Sequence, residues 1–137
     1  MRRRLGALPL VAQGLAVPGC ASAPATRCAP GQQAMRSERL YFGTAMPQGA
    51  VSPDEWRGFV DTVVTPRFPN GLTAWSASGQ WRSADGTLVH EASWVLEIVH
   101  APDAASDTAI VEIADAYKQR FQQEAVLRVS SDACVAF

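Results

Sequence analysis

The sequence predicts an α+β domain of the ferredoxin-like type, in the order strand, helix, strand, strand, helix, strand. Three observations predict it: four β-rich segments, two amphipathic stretches with helix-capping residues, and an Asp-Gly turn between the second and third strands. Right-handed crossovers then give a four-stranded antiparallel sheet in the order 4-1-3-2, with both helices on one face. A hydrophobic fraction of 47% is ample for one core, so we expect a single domain over residues 37–137.

The first half of this domain is predicted to be one strand and one helix. Residues 39–45 are rich in β-forming residues, and the Pro-Gln-Gly segment that follows ends the strand. Ser52 then predicts a helix start, because proline follows it and Glu55 is placed to complete a capping box. The apolar stripe of this helix consists of Trp56, Phe59, Val60, Val63 and Val64, and Pro66 ends it.

The second half is predicted to contain a hairpin, a helix and a last strand. Residues 72–82 and 88–100 are long strands on either side of the Asp85-Gly86 turn. Ser106 or Asp107 is expected to cap the second helix, and residues 125–129 form the last strand, which runs on towards Cys134. The buried stripe of the second helix consists of Ile110, Ile113, Ala114, Tyr117 and Phe121.

Residues 1–19 have the features of an export signal, with three arginines before an apolar run too short to span a membrane. Val17-Pro18-Gly19-Cys20 resembles the lipobox of bacterial lipoproteins, which makes Cys20 the lipid-attachment residue and membrane anchor and residues 20–36 a flexible tether. Ordinary cleavage before Thr26 is the alternative, and it leaves a secreted or periplasmic soluble chain. A third alternative is that the N-terminal segment is not cleaved and anchors the chain in the membrane. Both cleavage routes place the domain outside the cytoplasm.

Cys28 and Cys134 are predicted to form a disulfide. In the predicted sheet the first and last strands are neighbours, and the start of one lies beside the end of the other. Cys28 precedes that start and Cys134 lies near that end. An extracytoplasmic location allows such a bridge to persist. Two unpaired thiols, one of them on the tether, are the alternative.

Charge and motif content exclude several classes of function. Once Arg2–Arg4 are removed with the leader, nine Lys and Arg face thirteen Asp and Glu, a net charge of −4. Nucleic-acid binding needs a basic patch, so no nucleic-acid partner is expected. His90 and His100 are ten residues apart on one strand, too far to bind one metal ion. No zinc spacing, phosphate loop or nucleophile elbow occurs, so the sequence calls for neither a metal nor a cofactor.

The segments LYFGTAMPQG, TPRFPNGLT, GQWRS and SWVLEIVH together resemble a family of small bacterial secreted proteins and lipoproteins that is classed as a domain of unknown function. The resemblance covers most of the region after residue 39. It implies a single extracytoplasmic domain, often behind a signal or lipoprotein leader. It implies no catalytic residues.

Polar residues are predicted on the sheet face that the helices leave uncovered. Strand alternation puts Glu91 and Glu97 there, and we expect Tyr41 and Arg128 beside them. This face is a solvated surface, a homodimer face or a pocket for a polar small molecule. The same register adds Ser76, Ser78, Gln80 and Arg82 to this face and places Trp75 and Trp81 in the core, unless the strand slips by one residue.

Arg67 lies in a loop rich in proline and glycine, where two roles are open. Its guanidinium either holds a carboxylate or phosphate of a ligand, or pins the loop through a backbone carbonyl or an acidic neighbour.

The leading prediction for function is a cell-envelope domain that binds a partner or assembles. The alternative is a small-molecule enzyme of the dimeric α+β barrel type. Its polar site residues would be Tyr41, Arg67, Glu91, Glu97 and Arg128.

Overall fold

A computed structural model describes residues 27–137, so the predicted leader, the cleavage site and Cys20 lie outside the described residues. The elements are β1 Gln33–Gly43, β2 Ala45–Met46, β3 Gly49–Ala50, α1 Pro53–Phe59, a π-helical turn Val60–Val64, β4 Thr73–Arg82, β5 Leu88–His100, α2 Ala104–Phe121 and β6 Val126–Val135. Strand β1 begins at Gln33, six residues before its predicted start, and β6 continues to Val135, past Cys134. The last residues of the predicted tether therefore belong to the sheet.

Four of the strands form one antiparallel sheet in the order β4-β5-β1-β6, and β2 and β3 pair separately as a short hairpin. The predicted α+β class, with a four-stranded antiparallel sheet and two helices, is confirmed. The register across the middle of the sheet sets Tyr41 of β1 opposite Val95 of β5 on one side and Leu127 of β6 on the other. Val95 in turn pairs with Trp75 of β4.

Both helix starts are fixed by side-chain caps. The Ser52 hydroxyl accepts from the Glu55 amide at 3.2 Å, and the Glu55 carboxylate accepts from the Ser52 amide at 2.8 Å, so the predicted capping box is confirmed. The cap of α2 is Asp103, not Ser106 or Asp107 as predicted. Its carboxylate accepts from the Ser106 amide at 2.8 Å, which makes Ser106 part of the first turn.

The core lies between one face of the sheet and the two helices. Leu40 and Phe42 of β1 contribute from the sheet together with Leu96 and Ile98 of β5, and all four are buried. Aromatic rings fill the space above them, and the Trp56 ring stacks on Trp94 with centroids 5.5 Å apart. The helix side of the core consists of Trp56, Phe59, Ile110, Ile113, Tyr117 and Phe121.

The Cys28–Cys134 disulfide is confirmed. It joins residues 106 apart in sequence, with a Cα–Cα distance of 5.4 Å. The pairing of β1 with β6, which sets Ala34 opposite Cys134, brings the second cysteine to the start of β1. The bridge therefore closes nearly the whole described chain into one covalent loop.

A candidate ligand site on the open sheet face

The face of the sheet opposite the helices, which we call the open face, carries two tryptophans that the sequence assigns to the core. Trp75 pairs with Val95 and Trp81 pairs with Val89, so both share a side with Glu91 and Glu97. Their exposed fractions are 39% and 37%. The prediction of core positions is wrong by a register shift of one residue. The same shift moves four predicted open-face residues to the helix-facing side: Ser76, Ser78, Gln80 and Arg82.

The physical reason for this error is that β4 is an edge strand. Almost every residue of β4 is exposed, including those on the helix-facing side. Hydrophobic side chains normally indicate the buried face of a strand, but here the core does not reach the strand on either side. The tryptophans consequently indicate an apolar surface rather than the core.

A partly exposed ion pair on the open face joins two neighbouring strands of the sheet. The Arg39 guanidinium donates from Nη2 to Oε1 of Glu97 at 3.0 Å, and the Ser37 hydroxyl donates to the same oxygen at 3.2 Å. The hydrogen bond that Arg39 donates to Glu97 raises the pKa of Arg39 above its ordinary value. The guanidinium carbon also lies 5.9 Å from the centroid of the Trp75 ring, within range of a cation–π contact.

Glu91 anchors the end of β1 and orients a tryptophan. Its Oε2 accepts from the amides of Thr44 and Ala45 at 2.9 and 2.8 Å, and its Oε1 accepts from Nε1 of Trp81 at 2.7 Å. Gly43 makes this possible, because a Cβ at that position would lie 2.6 Å from Oε1 of Glu91. The carboxylate is therefore held by three donors and fixes the Trp81 ring on the open face.

A cavity of about 350 Å³, the open-face cup, lies at this end of the sheet. Its size is within the range of small-molecule sites. The absence of bulky side chains at Gly43, Ala77 and Gly79 leaves the space beside the Trp81 ring. The other lining residues include Tyr41, Glu91, Ser93, Gln123, Glu124 and Leu127.

Arg67 lies at the other end of the sheet. Its Nε donates to Oε2 of Glu112 at 3.1 Å and its Nη1 donates to the Val63 carbonyl at 2.8 Å. These are the two kinds of contact expected of an arginine that pins its loop. A separate cavity of about 740 Å³ lies beside it, lined also by Phe68, His100 and Phe137.

Arg128 was predicted on the open face, and this prediction is wrong. It lies on the helix-facing side, opposite Leu40. Its Nε and Nη2 donate to the two carboxylate oxygens of Glu38 at 2.8 and 2.6 Å, and Nη2 also donates to Asp107 at 2.8 Å. A charged residue is tolerated there because a neighbouring strand supplies its counter-ion. Glu38 was not among the predicted site residues, although the alternation Glu38, Leu40, Phe42 indicates that it shares the core face.

Glu38 is the charged centre of this buried cluster. The residue has no exposed surface, and its carboxylate also accepts from the Ser130 hydroxyl at 2.5 Å. Burial pushes the pKa of Glu38 upward, but the bonds from Arg128 and Ser130 outweigh it and hold the pKa below its ordinary value. Nε2 of His100 lies 4.0 Å from the same carboxylate, and the His100 ring is buried. The cluster joins β1, β6 and α2 by ionic contacts.

The five predicted site residues therefore do not form one site. Tyr41 and Glu91 meet in the cup, and Glu97 lies on the same face in the Arg39 ion pair. Arg67 and Arg128 lie elsewhere. Within residues 27–137, no group of three or more His, Cys, Asp or Glu side chains is arranged to bind a metal ion. No helix in that described range is long and apolar enough to cross a membrane.

Comparison with solved structures shows a shared fold. A phage SAM lyase in complex with S-methyl-5'-thioadenosine aligns with a TM-score of 0.56 at 16% identity, covering 84% of this chain and 97% of that chain. The apo state of a phage SAM lyase aligns with a TM-score of 0.56 at 13% identity, covering 82% and 95%. No curated protein matches the sequence.

The family resemblance in the sequence is confirmed by a family model. The model is described as "Protein of unknown function (DUF3574)", and it matches residues 37–137. This range includes all of the sheet except the start of β1, and both helices. The chain belongs to the DUF3574 family.

Proposed function

We propose that this protein is an extracytoplasmic binding domain with ferredoxin-like topology whose open-face cup takes a flat, heteroaromatic small molecule of nucleoside size. The observation that carries the proposal is the Trp81 ring, partly exposed and fixed by its bond to Glu91 at the edge of an otherwise unfilled cavity. A ring held in place before binding loses little side-chain freedom when a ligand stacks on it.

The composition of the cup suits a ligand with one aromatic ring system and a few polar groups. Trp81 offers a stacking surface, and Leu127 and Tyr41 add apolar surface from the neighbouring strands. Glu91 and Ser93 supply an acceptor and a hydroxyl at the same cavity, as an amino-substituted ring would require. Stacking of a base on an aromatic side chain contributes about 1–3 kcal/mol.

The structural comparison suggests the first ligand to test. The phage SAM lyase with the same fold is described in complex with S-methyl-5'-thioadenosine, a nucleoside that carries a thioether. At 16% identity the likeness extends to the fold alone. The cup of this chain nevertheless has the volume and the aromatic wall that such a molecule needs.

The test is a titration with S-methyl-5'-thioadenosine and adenosine, followed by tryptophan fluorescence and calorimetry. We expect binding to the wild-type protein and a Kd raised at least about tenfold in Trp81→Leu, because the stacking contact is lost. Trp75→Leu is the matched control, since Trp75 lies on the same strand and face with similar exposure but does not line the cup. Equal loss in both variants, or no binding of either nucleoside, would overturn the proposal.

An enzyme of the dimeric α+β barrel type is the second candidate; the lyase activity named for the structural neighbours favours an enzyme, and the barrel type is the expectation from the sequence. Its test is incubation of the protein with SAM and measurement of SAM loss by chromatography. Turnover that disappears in Trp81→Leu and persists in Trp75→Leu would favour the enzyme. Ligand binding without turnover would favour the binding domain.

The cellular location is part of the proposal, with membrane attachment through Cys20 and secretion as the alternative. The Cys28–Cys134 disulfide supports an oxidising compartment. Intact mass of the protein from a bacterial envelope tests it. A chain that begins at Cys20 and carries acyl groups supports the anchor, whereas an unmodified chain that begins at Thr26 supports secretion.

A further inference from the structure

Exposed apolar side chains are concentrated on the open face. Within residues 27–137, Trp75, Val99, Leu127 and Val129 lie on this face, with exposed fractions between 39% and 61%. Trp75 and Leu127 flank the buried Val95 and Tyr41 in one row across the sheet, Val129 pairs with Arg39 in the next row, and Val99 pairs with Ser37 in the row after that. We call this set the apolar patch. Trp75, Val95, Tyr41 and Leu127 pair side by side, so one apolar row crosses all four strands, and a continuous apolar surface of this kind marks a contact surface.

The charges within the apolar patch are compatible with burial. Arg39 and Glu97 sit opposite each other on β1 and β5 and are already bonded at 3.0 Å. A partner that covers this face therefore buries a charge that already has its counter-ion, which avoids the large desolvation penalty of an unpaired buried charge. Because a positive and a negative group lie side by side, a two-fold rotation can set the arginine of one copy near the glutamate of the other.

The area of the open face reaches the lower end of what a specific dimer interface buries, about 600 Å² per partner. The sheet has four strands, spaced about 4.8 Å apart and about ten residues long at about 3.3 Å per residue. As a flat rectangle this face measures roughly 600 Å², and protruding side chains add to the accessible area. Standard protein interfaces bury about 800 Å² per partner. A second copy of the same face therefore supplies a partner of matching area, apolar character and charge pattern.

We propose that a second copy of this chain packs its open face against the first, sheet to sheet, around a two-fold axis through the apolar patch. The two sheets would then form a layered core of the kind found in face-to-face sheet packing. Leu127 belongs to both the patch and the lining of the open-face cup, so the two surfaces are adjacent. The proposal goes beyond the ligand proposal, and it stands whether or not a nucleoside binds.

The test is site-specific photo-crosslinking of the full chain in the envelope of a bacterial host. p-Benzoylphenylalanine is placed at Val129 and, in separate variants, at Leu127 and Val111. Val111 is the matched control, because it is as exposed as Val129 but lies on α2, away from the open face. Two copies with different affinity tags are expressed together, and the intact Cys28–Cys134 disulfide in each variant shows that it has folded.

We expect an adduct of twice the monomer mass that carries both tags, formed from Val129 and Leu127 and not from Val111. No doubly tagged adduct from either open-face position would overturn the proposal, as would an adduct with a different protein. Equal yield from Val111 would also overturn it, since that result indicates random collision. In a second readout, Val129→Arg should abolish co-purification of the two tagged copies, and Val111→Arg should leave it unchanged.

Discussion

Glu38 on β1 and Arg128 on β6, ninety residues apart, form a two-bonded ion pair on the helix-facing side of the sheet. The glutamate is fully buried, whereas the arginine side chain keeps 30% of its surface exposed. Breaking such a pair costs much free energy of unfolding, because the glutamate that remains is a buried charge without a counter-ion. It therefore fixes the position of β6 against β1 and α2.

Removal of Arg128 alone should destabilise the protein strongly. We expect Arg128→Met to lower the free energy of unfolding by about 3 kcal/mol, because Glu38 stays buried without its counter-ion. Urea denaturation measures this. The double variant Glu38→Leu/Arg128→Met should recover much of the loss. Arg39→Met breaks the partly exposed pair with Glu97, which water screens more, and should cost less than about 1 kcal/mol. Equal losses in the two single variants would contradict the argument.

Stability should fall in acid, and Glu38 should account for part of that fall. The pKa of Glu38 in the folded protein is below its ordinary value of 4.5, so the folded state binds the proton less readily than the unfolded state. The contribution is complete above pH 4.5 and is lost as pH falls through the folded pKa. Thermal unfolding between pH 3 and 7 should show a shallower acid slope in Glu38→Gln. Some slope should remain, because capping bonds also lower the pKa values of Glu55 and Asp103.

Gly43 should not tolerate a side chain. A Cβ there would lie 2.6 Å from Oε1 of Glu91, which is held by three donors, and we expect Gly43→Ala to cost about 1–3 kcal/mol. Gly79→Ala is the control, since its Cβ would meet only the Ser93 hydroxyl at 3.9 Å. Urea denaturation of both variants measures the difference. A neutral Gly43→Ala would mean that Glu91 is free to move.

Loss of the disulfide should lower the free energy of unfolding of the whole domain. The double variant Cys28→Ala/Cys134→Ala opens a loop of 106 residues, and we expect it to lose about 3–5 kcal/mol. Denaturation with and without a reducing agent measures this. Reduction should lower the stability of the wild type by a similar amount and leave the double variant unchanged. An effect of reduction on the double variant would point to another cause.

Local signals in the sequence were sufficient for most of the framework. The Ser52 capping box, the two apolar helix stripes and the Asp85-Gly86 turn each depend on residues close together in the chain, and such patterns can be read without knowledge of the fold. The disulfide was predictable because it needs only that the first and last strands are neighbours.

The faces of the edge strands were not predictable in the same way. On β4 and β6 the core covers few residues, so alternation of apolar and polar residues does not indicate which side is buried. Arg128 occupies the helix-facing side only because Glu38 lies on the next strand, and a pattern within one strand cannot show a partner ninety residues away. Extending β1 back to Glu38 by strict alternation would have shown the buried carboxylate.

The position of the disulfide also determines how the domain carries mechanical load. Tension applied to the residues before Cys28 reaches Cys134 through a covalent bond, before it can act on the hydrogen bonds between β1 and β6. Those strands are thus shielded from being peeled apart from the N-terminal end. Force applied between the residues before Cys28 and those after Cys134 would pass through the bridge and not through the sheet, for as long as the bridge is intact.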